Sequence, residues 1–393
     1  MTARSRSSRI NPAMVYGLHQ TLVKGLIWGS IFSIALATYR SPLRAVKALG
    51  ALKRFWTAYL DRHREVKYAR VAGRYYWGQN APGWPSRTFV TFMRNELHRV
   101  LPQEGRTRSL QTMVWAITGK CPLRCQHCFE WDTLNQPETL SRHDLMQIAA
   151  RFQERGITQI QLSGGEPLAR LDDVVAIITS AEPGTDFMLL TSGYQLTREN
   201  AERLKQAGLT SVNISLDHWQ PEAHNAFRGF PAAYQWAEKA AKNAREAGLL
   251  VCLSLCATTD FVTRDNLRAY ARLARQWGVG FIQVLEPRAV GRFNGREVAL
   301  SPGQEALLED FLLALNHDPA YRDFPLVTYH GYHQRRMGCF GAGDRYLYVD
   351  TFGNVHACPF CRKPNGNCLL EPLVDLVSRL QQTGCHQFAS AAE

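Results

Sequence analysis

Ten cysteines are spread unevenly along this 393-residue chain, and clustered thiols in a reducing compartment are candidates for metal binding before disulfide formation. Cys121, Cys125 and Cys128 stand in a C-x3-C-x2-C spacing. Three thiolates cannot complete a four-iron cubane, which takes four ligands. One iron is then left open to a small molecule, much as a catalytic zinc keeps an open position. Further on come Ser163, Gly164, Gly165, Glu166, Pro167 and Leu168. The paired glycines let backbone approach a ligand closely, and Glu166 or nearby carbonyls can accept from an ammonium group. Thr191-Ser192-Gly193 and Ser215-Leu216-Asp217 offer hydroxyls and an acid to a polar ligand, although Ser and Asp at strand ends also commonly cap helices.

A second group holds Cys339, Cys358, Cys361, Cys368 and Cys385. Alternating aromatic and β-branched residues at 346–350, followed by a turn ending at Gly353, predict a hairpin with Cys339 before it and the Cys358-x2-Cys361 pair after it. Five candidate ligands exceed the four of one cluster and fall short of eight for two. A four-cysteine zinc site is the structural alternative. Cys252 and Cys256, four apart on a predicted strand, point the same way and read as small buried hydrophobes.

The first cysteine loop resembles the signature of radical S-adenosylmethionine (radical SAM) enzymes, with His127 in place of the ring residue common before the third cysteine. The Gly164-Gly165-Glu166-Pro167 turn is similar to that family's second motif, and Ser192, Ser215 and Asp217 to its cofactor-facing positions. Arg228-Gly229, Pro287 and Gly291-Arg292 are weaker likenesses. The resemblance implies a [4Fe-4S] cluster on Cys121, Cys125 and Cys128, whose open iron chelates S-adenosylmethionine. It further implies reductive cleavage to a 5′-deoxyadenosyl radical that abstracts hydrogen from a substrate, with electrons from a flavodoxin or ferredoxin. The cofactor carries the difficult chemistry, while the protein binds, orients and excludes water; no general acid or base stands out. The C-terminal cysteines resemble a SPASM or shorter twitch extension, which implies one auxiliary [4Fe-4S] cluster on Cys339, Cys358, Cys361 and either Cys368 or Cys385. Relatives with such extensions often modify peptides, so a peptide or protein substrate is expected. A lipid or RNA substrate is the alternative, and a non-catalytic iron–sulfur or zinc carrier is the reading of another class.

The elements that must position these residues are legible from Thr112 onward, where β-rich apolar runs alternate with helical periodicity. Strands are predicted at 112–118, 157–162, 187–191, 211–216, 249–256 and 280–285, and helices at 142–155, 172–180, 198–207, 232–247, 264–277 and 305–315. Ser141 with Asp144 forms a candidate capping box; Thr197 and Thr263 sit where N-caps are wanted, and Gly208, Gly248 and Gly278 where helices should stop. The fold expected is an α/β partial (β/α)6 barrel over 111–300. An N-terminal helical basic region (1–110) precedes it, and a small cysteine-rich C-terminal domain (301–393) follows. Chemistry should gather at the C-terminal ends of the strands.

Charge divides the chain in the same place. Residues 1–110 hold 19 basic and 4 acidic side chains, whereas 111–393 hold 27 basic and 30 acidic. An apolar segment at 15–38, short of charge and followed by Arg40, Arg44, Lys47, Lys53 and Arg54, suits a helix lying on an anionic membrane surface. A helix packed on the protein's own core is equally compatible, and a signal peptide less so, because a thiolate cluster fits a reducing compartment. The expected location is the cytoplasm, with peripheral contact at the inner face of the membrane. The aromatics Tyr75, Tyr76, Trp77 and Trp84 are read chiefly as packing, with base stacking as the other use.

Overall fold

The computed structural model describes residues 13–105, 108–339 and 341–384, so Cys385 lies outside the described residues. The N-terminal unit runs β1 (Ala13–Tyr16), α1 (Gly17–Tyr39), α2 (Pro42–Tyr59), β2 (Lys67–Val71), β3 (Arg74–Tyr76) and α3 (Arg87–Val100). Its three strands form an antiparallel sheet in the order β1-β2-β3. The sequence pointed only to helix here, because strands of three to five residues are too short for alternation to register. Helix α1 falls within two residues of the segment anticipated at 15–38. By length and composition alone it could cross a membrane.

The central sheet begins with β4 (Thr112–Ala116), then α4 (Arg142–Glu154), β5 (Gln159–Ser163), α5 (Leu171–Thr179), β6 (Asp186–Thr191), α6 (Arg198–Ala207) and β7 (Leu209–Ser215). It continues through α7 (Pro221–Arg228), α8 (Ala233–Glu246), β8 (Leu250–Cys256), α9 (Arg264–Gln276) and β9 (Phe281–Leu285). The six strands β4 to β9 pair in parallel in chain order, the partial barrel expected. Local chemistry sets the ends of its helices. Ser141 and Asp144 make the capping box, Thr197 and Thr263 cap α6 and α9 through the Asn200 and Asn266 amides, and Gly208 takes a positive φ of 118° that a side chain would resist.

After β9 come α10 (Pro302–His317), β10 (Leu326–Tyr329), α11 (His330–Met337), β11 (Tyr346–Val349), β12 (Val355–His356) and α12 (Leu373–Thr383). Strand β10 extends the sheet beside β9, while β11 pairs in parallel with β4 and antiparallel with β12. The nine strands form one row, β10-β9-β8-β7-β6-β5-β4-β11-β12. The cysteine-bearing hairpin is therefore joined edge to edge with the barrel, directly beside the strand that feeds the first cysteine loop.

The N-terminal unit packs against the inner side of the sheet near the start of its strands. Ala69, Val71 and Tyr76 pack with Leu250, Cys252, Phe281 and Leu326. Gln159 Nε2 donates to the Gln79 carbonyl at 3.2 Å and Gln161 Nε2 to Asn80 Oδ1 at 3.0 Å. Lys67 Nζ donates to the Tyr321 and Phe324 carbonyls at 2.9 and 2.6 Å. This plug leaves the opposite ends of the strands for the site.

Candidate active site

Between β4 and α4 the chain makes a long loop carrying all three cysteines of the first motif. Arg124 and Gln126 donate backbone amides to the Arg228 and Phe227 carbonyls at 3.1 and 2.9 Å, so the end of α7 braces the loop. On the other side the Arg292 amide donates to the Cys128 carbonyl at 2.9 Å, and its guanidinium to the Cys125 carbonyl at 3.2 Å. Gly291, at φ 55°, lies so close that an added Cβ would fall 2.3 Å from the Cys128 oxygen. The weak sequence features Arg228-Gly229 and Gly291-Arg292 are thus the two clasps of the loop.

Cys125 is buried, Cys121 and Cys128 half-buried, with Leu123, Phe230, Ala233 and Trp236 packed around them. Burial pushes the Cys121 and Cys128 thiols up to about 12, so without a metal they hold their protons, and metal binding must release them. Among the described residues no three His, Cys, Asp or Glu side chains close on a single ion. His127 stacks on Phe227, ring centroids 4.8 Å apart. Burial holds its imidazole down to about 4, neutral, and its Nδ1 is buried with no hydrogen-bond partner.

The glycine turn after β5 is zipped onto the same loop. Gly165 and Glu166 donate their amides to the Thr118 and Lys120 carbonyls, both at 2.7 Å. A Cβ at Gly164 would meet the Thr118 oxygen at 2.3 Å and one at Gly165 the Lys120 oxygen at 2.4 Å. Only glycine admits that approach. Gly165→Ala is expected to force the turn off the cysteine loop, costing about 1–3 kcal/mol as overpacking does; loss of both iron loading and thermal stability would show it. Unchanged iron content would separate the turn from the loop.

Glu166 does not reach the cavity. Its carboxylate is buried and accepts from the Thr191 hydroxyl (2.8 Å), the Ser192 amide and hydroxyl (2.9 and 2.6 Å) and the Leu168 amide (3.3 Å). Burial raises its pKa, while those donors pull it the other way. It works as a tie between the ends of β5 and β6, so its oxygens are spoken for before any ammonium arrives. Pro167 also stands behind the wall, opening a single 3-10 turn, Pro167–Arg170.

One cavity of about 640 Å³ runs from this loop into the barrel. Cys121, Cys125, Cys128, Gly164 and Gly165 line it together with Ser192, Ser215 and Asp217. Asp217, however, already faces Arg228, with Nε 2.6 Å from its carboxylate, and accepts from the Cys256 amide at 3.0 Å. Burial pushes the Asp217 carboxyl up, but the Arg228 guanidinium, helped by His127 and His224, holds it below the usual range. Arg228 also reaches Cys125, its Nη1 donating to Sγ at 3.6 Å. A buried cation thus sits on the middle cysteine of the loop. The bracket of Pro221 and Gly229 around α7 was the readable signal for this missed helix and its terminal arginine.

Cys256 lies on the cavity wall, whereas Cys252, on the same strand face, is in the packed cluster against the N-terminal unit. Of the C-terminal cysteines, Cys339 and Cys358 line the cavity, and Cys358 and Cys361 stand 3.3 Å apart, sulfur to sulfur. That hydrogen bond, with burial, raises the Cys358 thiol. Cys368 is fully buried behind the hairpin turn, where a Cβ on Gly353 would lie 3.7 Å from its sulfur. Phe129, next after Cys128, packs edge-on against Tyr348 and Phe360, so the two cysteine regions share one aromatic joint. From the N-terminal unit, Phe55, Trp56 and Tyr59 of α2 also line the cavity, a wall that composition alone did not reveal. Trp77 also lines the cavity while packing among Trp56, Tyr68 and Phe89, whereas Tyr75 packs against Trp84.

Residues 115–274 match the model of the Radical SAM superfamily. The chain is 28% identical over 261 residues to mycofactocin maturase MftC of Mycolicibacterium smegmatis, covering 63% of this chain and 64% of that protein. It therefore spans a little under two thirds of that relative's length. It is also 29% identical over 301 residues to an AdoMet-dependent heme synthase of Nitratidesulfovibrio vulgaris, covering 70% and 80%. Among solved structures, Streptococcus suis SuiB bound to precursor peptide SuiA is similar at a TM-score of 0.57 and 14% identity, over 88% of this chain and 80% of that one. Native anSMEcpe with bound AdoMet is similar at 0.55 and 16% identity, over 72% and 84%. At these identities the two structures bear on the fold alone.

Proposed function

From the premise that residues 115–274 form a radical SAM domain, we propose that this chain is an enzyme that binds a [4Fe-4S] cluster through Cys121, Cys125 and Cys128 and cleaves S-adenosylmethionine reductively. Bound there, the cluster and cofactor together supply a 5′-deoxyadenosyl radical for hydrogen abstraction. The observation that carries the reading is that the three cysteines and the Gly164-Gly165 turn line one cavity with Ser192, Ser215 and Asp217. The chain's own part is positional. The clasps at Arg228 and Arg292 fix the loop, the glycine turn offers backbone to the amino-acid end of the cofactor, and the Ser192 and Ser215 hydroxyls serve its ribose. The N-terminal unit packs on the start of the strands and α2 walls one side of the cavity, and keeping water from that space protects a radical from side reactions. Glu166 and Pro167 shape the turn from behind. Anaerobically reconstituted and reduced protein should convert S-adenosylmethionine to 5′-deoxyadenosine; none above a protein-free control would favour an electron carrier or scaffold.

Cys339, Cys358 and Cys361, with Cys368 or Cys385, are our ligands for an auxiliary [4Fe-4S] cluster. Cys361→Ala is expected to keep S-adenosylmethionine cleavage while bound iron falls by about half, since four of eight irons depend on that set. Iron analysis beside the 5′-deoxyadenosine assay checks this; undiminished iron would remove the second cluster.

For the substrate we favour a peptide or protein segment. What favours it is that SuiB, a protein similar in fold, was crystallised with a precursor peptide. A lipid or other apolar substrate is the second reading, favoured by the Phe55, Trp56 and Tyr59 wall. Flavodoxin or ferredoxin is the proposed electron donor, and the cytoplasm the proposed location, with the chain peripheral to the inner membrane face.

A further inference from the structure

We propose that the outer face of α1, continued by the first turns of α2, is a docking surface for an anionic lipid bilayer; this deepens the peripheral location without depending on the catalytic reading. The inner face of α1 packs conventionally, through Val23, Ile27, Ile31, Ile34 and Ala35. Its outer face should then be polar, as on any soluble amphipathic helix. Instead Leu18, Leu22 and Leu26, four residues apart on one ridge, are 86%, 69% and 60% exposed, and Phe32, off that ridge, is 39% exposed. On α2, Leu43 and Val46 are exposed in the same way. Exposed apolar surface of this kind marks an interaction site.

Two further observations identify what covers it. First, the hydroxyls on α1 make no demand on water: Thr21, Ser30, Ser33 and Thr38 donate to the carbonyls of Gly17, Leu26, Gly29 and Ile34 at 3.2, 3.0, 3.1 and 2.7 Å. Donors satisfied within the helix are what an apolar medium requires. Secondly, the flanking charge is of one sign. No Asp or Glu precedes Asp61, and Arg40, Arg44, Lys47, Lys53 and Arg54 are exposed on or beside α2. An apolar ridge beside exposed cations complements acyl chains under anionic headgroups.

The helix lies on the bilayer rather than crossing it. Tyr39 donates its hydroxyl to the Leu97 and Leu101 carbonyls, both at 2.8 Å, Gln20 Nε2 donates to the Glu65 carbonyl at 3.1 Å, and Trp84 Nε1 to Ser30 Oγ at 3.0 Å. Insertion would break these bonds and strip the inner face from its core.

The test is flotation of the full chain with vesicles of phosphatidylcholine alone or mixed with phosphatidylglycerol. Recovery should be at least about tenfold higher with the anionic vesicles and should fall at high salt. A Leu18→Ser, Leu22→Ser, Leu26→Ser variant should lose it while keeping its thermal midpoint, because the three side chains are exposed. No flotation of the native chain, or equal flotation of the variant, would overturn the proposal. So would a native dimer that becomes monomeric in the variant without either binding vesicles, since the face would then serve a second copy of the chain.

Discussion

Anaerobically reconstituted Cys125→Ala protein is expected to form no 5′-deoxyadenosine from S-adenosylmethionine above a protein-free control. Cys125 is the buried member of the trio, and its sulfur is the one that Arg228 donates to. Removing it leaves two ligands, too few to hold a cubane, and turns the Arg228 guanidinium toward an apolar methyl. The assay is product quantification by liquid chromatography, with iron content measured on the same sample. Retention of cleavage would mean that the cluster, if present, sits elsewhere. The comparison with Cys361→Ala sharpens the result, because a general loss of fold would silence both variants.

The second large effect is on stability. Arg228→Met is expected to cost about 3–5 kcal/mol in denaturant unfolding, the usual consequence of stripping one partner from a buried ion pair. Asp217 and Arg228 are both buried, and the carboxylate has only the Cys256 amide and nearby imidazoles besides. The pH dependence follows in sign. In the native chain the Asp217 carboxyl is held below its ordinary value, so its contribution is complete above about pH 4 and is lost as pH falls through the folded value. In Arg228→Met burial prevails and the carboxyl rises, so the deficit against native protein should shrink as acid neutralises it. Asp217→Asn combined with Arg228→Met should recover more than half of the loss at neutral pH. Additive losses in the pair would contradict the coupling.

Much of this architecture was open to reading from residues alone, and for identifiable reasons. Strands buried on both faces give continuous apolar runs, and three of their helices carry explicit caps at Ser141, Thr197 and Thr263, so β4 to β9 and the helices between them, α7 excepted, fall within a few residues of expectation. The cysteine loop and glycine turn were legible because their spacing is itself the chemistry. What escaped was long-range. Glu166 belongs to a recognisable motif, yet nothing local says that Thr191 and Ser192 exhaust its oxygens. Arg228 lies over a hundred residues from Cys125, and no periodicity announces their contact. Strands as short as β1 and β3 carry too few side chains for a pattern, and β10 and β11 join the sheet by edges that only the folded chain brings together. The C-terminal unit is expected as a small domain from its cysteines and its resemblance to a SPASM or twitch extension; only the folded chain brings its β11 beside β4.

That pairing also couples the two cysteine regions mechanically. The aromatic joint of Phe129, Tyr348 and Phe360 spans the two cysteine regions, so changes in one should be felt in the other through packing.

The most direct test of the account is the paramagnetic resonance spectrum of the dithionite-reduced Cys358→Ala, Cys361→Ala protein, recorded with and without S-adenosylmethionine. Only the cluster on Cys121, Cys125 and Cys128 should remain, and its signal should change on adding the cofactor, because one iron is free to bind it. A reduced cluster whose spectrum ignores S-adenosylmethionine would contradict the account at its centre.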